Sequence, residues 1–174
     1  MQRILTRRVT WVTLILVFFM ALKSIFFPGS FDPFTKGHEA IVHKALEVVD
    51  HVIIGIGVHS SKTSYFTLDS RKDHINQLFN KDFVTVVSFQ GLTVEACLKH
   101  GCSHLLRGLR DSKDFQYERS IAHMNFDLKQ IETIFLLTDL PLSAINSTIV
   151  REIYQNGGDI HGFVTKPEFL IPCV

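Results

Sequence analysis

The sequence predicts an α/β fold, a doubly wound parallel sheet of about five strands with helices on both faces. Two patterns predict it. Five short runs rich in Val, Ile and Phe recur along the chain, as buried parallel strands do, and segments of helical period fill the intervals between them. A hydrophobic content of 46% against 20% charged residues excludes a disordered chain and gives the 174 residues material for one sizeable core.

Taken in order, Ile25–Phe27 reads as the first strand. A helix follows over 38–49, where Ile41, Ala45 and Val48 recur on one face beside Val42, Leu46 and Val49. Val52–Gly57 is the second strand. Its Gly55-Ile56-Gly57 lacks the third glycine and the immediate helix of a dinucleotide-binding turn. Thr67 is placed to cap a helix running to Asn80. Phe83–Phe89 is the third strand, Thr93–His100 a short helix stopped by Gly101, and His104–Leu106 the fourth strand. Asp114 is expected to cap a helix to about Leu128, before a fifth strand at Thr133–Leu137. A last helix, Ile145–Asn156, ends at Gly157-Gly158.

Charge and special residues exclude several functions. Lys and Arg number 18 against 17 Asp and Glu, a formal net charge of +1, which gives no electrostatic reason for nucleic acid or an anionic membrane as the main partner. Cys97, Cys102 and Cys173 have no C-x-x-C spacing and fit buried or idle thiols in a reducing compartment. The scattered histidines His43, His51, His59, His74, His100, His104 and His161 show no metal-ligand spacing and read as surface or core residues.

Residues 1–19 read as an apolar extension outside the fold. Arg3, Arg7 and Arg8 precede an uncharged stretch from Val9 to Leu22, and the positions up to 19 hold no acidic residue. The stretch is short for a membrane span and lacks a small-x-small cleavage site, although an anchor and a secretory signal are the two alternatives. Met20 stands where a single domain over 20–174 could begin.

In a doubly wound sheet ligands bind beyond the carboxyl ends of the strands, so the loops after each strand carry the chemistry. The first, Pro28 to His38, ends at a helix N-terminus where free N–H groups attract phosphate. Gly29 and Gly37 permit close backbone approach, and Ser30, Thr35 and His38 add side-chain donors. The second, Arg107-Gly108-Leu109-Arg110, sets two arginines around a glycine, a pattern suited to bidentate phosphate recognition. The third, Leu142 to Thr148, offers hydroxyls at a helix start.

The order of these residues is more specific than any one loop. Gly29-Ser30-Phe31-Asp32-Pro33 followed by Thr35-Lys36-Gly37-His38 resembles the first motif of the nucleotidylyltransferase superfamily, written (H/T)-x-G-H. The string R-G-L-R-D-x-x-D-F-x-Y-E over 107–118, followed by Ala122-His123-Met124-Asn125, resembles the bacterial phosphopantetheine adenylyltransferase family. The resemblance runs from about Ser24 to Val164. It implies a Rossmann-like fold and an enzyme that transfers AMP from ATP to 4′-phosphopantetheine, giving dephospho-coenzyme A and pyrophosphate by direct in-line displacement.

Carried over residue by residue, the resemblance makes His38 the transition-state stabiliser and gives Lys62 a catalytic part in bringing the substrate phosphate to ATP. It implies ATP contacts at Ser30, Phe31, His38, Gly108, Leu109, Arg110 and Glu118, and along Leu142, Ser143, Ala144, Ile145, Asn146, Ser147 and Thr148. Substrate contacts are implied at Ser30, Lys62, Thr93 and Arg107. The pattern departs from the family at Asn146, Leu142 and Ala144, which bear on adenine packing, while Ser147 and Thr148 remain. Mg²⁺ accompanying ATP, coenzyme A as a feedback ligand, a homohexamer and a cytoplasmic location are further implications, with no nucleic-acid partner and no membrane. Two rivals are another member of the superfamily, such as a cytidylyltransferase or nicotinamide-mononucleotide adenylyltransferase, and a non-enzymatic nucleotide-binding protein tethered through 9–22. The first should lack the 107–118 string, and the second should have lost His38, Lys62 or Arg107.

Overall fold

The computed structural model describes residues 23–58 and 63–173, so the 1–19 extension and Lys62 lie outside the described residues. Five strands form one sheet in which every pairing is parallel. They are β1 (Ser24–Gly29), β2 (His51–Gly57), β3 (Val84–Phe89), β4 (His104–Leu109) and β5 (Glu132–Leu137), in the order β3-β2-β1-β4-β5. The helices between them are α1 (Lys36–Leu46), α2 (Leu68–Asn76), α3 (Thr93–Lys99) and α4 (Ser112–Lys129), and α5 (Ser147–Gln155) follows the sheet. All five expected strands are present. The chain builds outward from β1 to β3, then crosses back to β4, so strand order reverses between β1 and β4.

Alternation along the central strands supplies a core on each face. Ile25 and Phe27 of β1 join Ile54, Ile56 and Leu106 under Ile41, Val42 and Ala45 of α1 and Ile75 of α2. Phe26, Ile53 and Leu105 point the other way, against Val94, Ala96 and Cys97 of α3 and Ile131. Burying each such side chain contributes roughly 1.5–3 kcal/mol, which makes these faces the main support of the sheet. Cys97 and Cys102 are buried free thiols and Cys173 an exposed one, and burial pushes the Cys97 thiol up to about 12.

The ladders are unequal. β1 pairs with β2 along its whole length, from Ser24 opposite His51 to Gly29 opposite Ile56. Between β1 and β4 the register holds only Phe26 opposite Leu105, so the two halves of the sheet part toward their carboxyl ends. That parting opens a crevice at the reversal of strand order, where such sheets take ligands.

Several boundaries differ from the sequence reading. α4 is capped by Asp111, whose carboxylate accepts from the N–H groups of Lys113 and Asp114, so Asp114 is free for another role. α2 ends at Asn76 instead of Asn80, and Leu78 N–H folds back onto the carbonyl of Ile75. α5 begins at Ser147, two residues later than expected, because the Asn146 side chain accepts from Thr148 N–H and fixes the helix start there. The C-terminal segment adds a further tie. Phe66 and Pro172 form an antiparallel bridge, and Phe66, Val150, Ile160, Val164 and Leu170 make a third buried cluster.

Candidate active site

A cavity of about 300 Å³ sits in the crevice, walled by the segments that follow β1, β4 and β5. Its lining includes Ser30, Phe31 and His38 from the first loop, Arg107, Gly108, Arg110 and Glu118 from the second, and Leu142, Ile145, Asn146 and Ser147 from the third. Side chains stitch the three segments together. Arg107 Nη1 donates to the Pro28 carbonyl at 2.7 Å, and Ser147 Oγ donates to the Pro33 carbonyl at 2.9 Å. Arg151 of α5 donates through Nη1 to the Asp32 carbonyl and through Nη2 to Thr148 Oγ1 at 3.0 Å.

Loop packing fixes the protonation of His38. Its Nδ1 lies 3.0 Å from Thr35 N, and a backbone N–H can only donate, so Nδ1 accepts. The neutral ring therefore carries its proton on Nε2. Phe31 and Phe34 flank the ring with centroids at 5.2 and 5.3 Å. Burial, then the charges of Arg110 and Arg107, push the His38 pKa down from 6.5 to about 4. At neutral pH His38 is a fixed, uncharged N–H donor.

Both arginines are held by carboxylates four residues apart on α4, and that spacing puts the two acids on one helix face. Glu118 accepts from Arg107 Nε at 2.7 Å and also from its Nη2. Asp114 accepts from Arg110 Nε at 2.8 Å, Nη2 at 3.0 Å and the Arg110 backbone N–H at 3.2 Å. The hydrogen bond to Arg110 holds the Asp114 carboxyl below its ordinary range, and the same bond raises the Arg110 pKa. An incoming phosphate must therefore compete with Asp114 or bind the outer edge of the pair. The arrangement can align anionic groups and neutralise charge between them.

Not every expected contact falls on this wall. Leu109, Ser143, Ala144, Thr148 and Thr93 do not line the cavity. Leu109 is buried, Ser143 Oγ donates to the Leu140 carbonyl, and Thr148 Oγ1 is engaged by Arg151. Thr93 begins α3 on the opposite face of the sheet. Glu118 reaches the cavity as the partner of Arg107. Asp114 and Thr138 line the cavity without having been singled out as site residues. The Arg110–Asp114 spacing of four was a readable signal for the first, whereas Thr138 had only its place after β5.

Gly29 is required by close approach: a Cβ there would lie 2.7 Å from the Phe31 ring. At Gly108 a Cβ would meet Ile41 Cγ1 at 2.9 Å, which keeps β4 tight against α1.

Comparison with known proteins gives the family. The cytidylyltransferase-like family model matches residues 26–153. A phosphopantetheine adenylyltransferase of Flavobacterium psychrophilum is 46% identical over 139 residues, covering 79% of this chain and 92% of the relative. One from Cytophaga hutchinsonii is 46% identical over 144 residues, covering 82% and 96%. Among solved structures, a bifunctional NMN adenylyltransferase/ADP ribose pyrophosphatase from Francisella tularensis superposes with a TM-score of 0.66 at 20% identity. That alignment covers 86% of this chain and 47% of the other, and at such identity the likeness is one of fold. The chain belongs to the cytidylyltransferase-like family and, within it, to the phosphopantetheine adenylyltransferases.

Proposed function

We propose that the protein transfers AMP from ATP to 4′-phosphopantetheine, forming dephospho-coenzyme A and pyrophosphate by in-line displacement. The observation that carries this reading is the convergence of His38, Arg107, Arg110 and the start of α5 on one cavity. A phosphate oxygen of phosphopantetheine bonds to the α-phosphorus of ATP as the bond from that phosphorus to the bridging oxygen of pyrophosphate breaks. The nucleophile is already anionic near neutral pH, so no general base is required. What the chain must supply is alignment and charge stabilisation.

His38 Nε2–H serves as a neutral donor to the equatorial oxygens around the α-phosphorus. Neutrality favours a donor that strengthens as charge builds over a full cation that would grip the ground state equally. Arg110 exchanges part of its pairing with Asp114 for phosphate oxygens. Arg107, held by Glu118 and the Pro28 carbonyl, presents its remaining edge to phosphopantetheine. The α5 start adds the first-turn N–H groups that the Asn146 cap leaves free, and Lys62 completes the substrate side.

Mg²⁺ would accompany ATP as its counter-ion, held by the phosphates. Asp114 and Glu118 are both taken by arginines, and the described residues hold no cluster of three metal-ligating side chains, so no protein cage for the ion is assigned. The reading includes a homohexamer, coenzyme A as a feedback ligand competing for the phosphopantetheine position, and a cytoplasmic location. Association is supported by α4, which buries none of its residues and exposes Tyr117, Met124 and Leu128. No helix among the described residues is long and apolar enough to cross a membrane.

The test is pyrophosphate release from ATP that depends on added phosphopantetheine, with dephospho-coenzyme A identified by mass. Release with CTP in place of ATP, or no nucleotide-linked product, would overturn the assignment.

A further inference from the structure

Arg71 of α2 is 3% exposed and touches neither the cavity nor a carboxylate oxygen by hydrogen bond. A buried guanidinium is a costly way to gain stability, since apolar packing of similar volume usually serves as well. Its bonds show where it is spent. Nη1 donates to the Ser30 carbonyl at 2.5 Å, Nη2 to Ser64 Oγ at 3.1 Å, and Nε to the Thr67 carbonyl at 3.4 Å. Asp32, 6% exposed, joins the same two segments, accepting from the N–H groups of Tyr65 at 2.8 Å and Phe66 at 2.9 Å.

The bond to Ser30 has a geometric consequence. In a trans peptide the C=O and the following N–H point in opposite directions, and the Ser30–Phe31 bond is trans. Anchoring the Ser30 oxygen on Arg71 therefore aims the Phe31 N–H away from α2. Phe31 has φ of 46°, a left-handed conformation that a non-glycine residue keeps only when its surroundings hold it there. Its ring is held against Phe27, Phe34 and His38. No described residue accepts from the Phe31 N–H, and both Ser30 and Phe31 line the cavity.

We propose that Arg71 is a positioning residue: through the Ser30 carbonyl it locks the Ser30–Phe31 peptide so that the Phe31 N–H is offered to an ATP phosphate beside His38. This rests on the adenylyl-transfer reading above. A hydrogen bond to a charged group contributes roughly 1.5–3 kcal/mol, so its loss is worth on the order of a 10- to 100-fold change.

The experiment uses the full-length protein and Arg71→Lys, whose single ammonium cannot hold Ser30, Ser64 and Thr67 together. The expected result is a fall of at least tenfold in kcat/KM for ATP, while KM for phosphopantetheine changes less than threefold. Equal loss toward both substrates, or no loss in a folded variant, would overturn the proposal. Should the variant not fold, the wild-type Phe31 amide is followed by NMR while inorganic pyrophosphate or ATP is added. A downfield shift with slowed exchange is expected, and an unmoved amide on a saturated protein refutes the idea. A wild type that forms no dephospho-coenzyme A would defeat the functional reading instead, and the amide response to pyrophosphate, compared between wild type and Arg71→Lys, would still decide the role of Arg71.

Discussion

Replacing His38 by alanine removes one uncharged donor from a site that otherwise keeps its arginines. kcat is expected to fall on the order of 100-fold or more, the usual cost of losing one such donor, while substrate binding stays within a few-fold. Steady-state kinetics and equilibrium binding of ATP check both halves, and near-normal turnover would remove His38 from the mechanism. The same ring controls acid stability. Its pKa is about 4 in the folded protein and 6.5 unfolded, so below 6.5 the unfolded chain takes up the proton first. The stabilisation is complete above 6.5 and drains away as pH falls to 4, amounting to on the order of 3 kcal/mol. Burial also lowers the His74 pKa, which acts with the same sign. Urea unfolding at pH 7 and pH 4.5 should show His38→Gln losing less stability than wild type over that interval. Arg107→Ala has two expected effects, weaker phosphopantetheine binding and a loss of roughly 1–3 kcal/mol, because it leaves the half-buried Glu118 carboxylate without its partner. A variant with wild-type unfolding would contradict the half-buried pairing. Of these residues the motif made His38 and Arg107 legible. The neutrality of His38 was not, because it comes from a backbone N–H and two phenylalanine rings that only the folded loop brings together.

In the proposed reading helix starts carry binding chemistry, and α5 shows how a departure from a family pattern can keep its physics. Asn146 stands where a serine was expected, yet asparagine is an equally good N-cap, and its side chain accepts from Thr148 N–H at 2.8 Å. Asn146→Ala should cost about 1 kcal/mol and raise KM for ATP, whereas Asn146→Ser should restore both. Thermal melts beside ATP titrations would reveal it, and an alanine variant indistinguishable from serine would discount the cap. The opposite lesson comes from α4. Two aspartates, Asp111 and Asp114, were eligible caps in the sequence, and local pattern favoured the wrong one. Arg110 draws Asp114 into the cavity by donating from its own side chain and backbone N–H to the Asp114 carboxylate, leaving Asp111 to start the helix. Composition cannot rank two equivalent residues when a tertiary partner decides.

At the scale of the whole molecule the alternation of strands and helices made the sheet readable before any coordinates, because each buried strand is a short apolar run. The tail was not readable. Residues after Val164 have no helical period, yet Thr67 N–H donates to the Ile171 carbonyl and Cys173 N–H to that of Tyr65, seating Leu170 beside fully buried Phe66. Such edge pairing leaves no local signature. Leu170→Ala should cost roughly 2–5 kcal/mol by opening this cluster, measured as a lower denaturation midpoint at unchanged m-value. An unaltered midpoint would mean that the tail is not docked in solution.

One bond joins these scales. Where β1 and β4 stop exchanging backbone hydrogen bonds, Arg107 reaches across and takes the Pro28 carbonyl, so a side chain completes what the main chain leaves open. The residue proposed to hold phosphopantetheine is thus also a rivet between two halves of the scaffold. Selection cannot loosen that grip without unfastening the frame, and position 107 should tolerate fewer substitutions than its part in chemistry alone would demand.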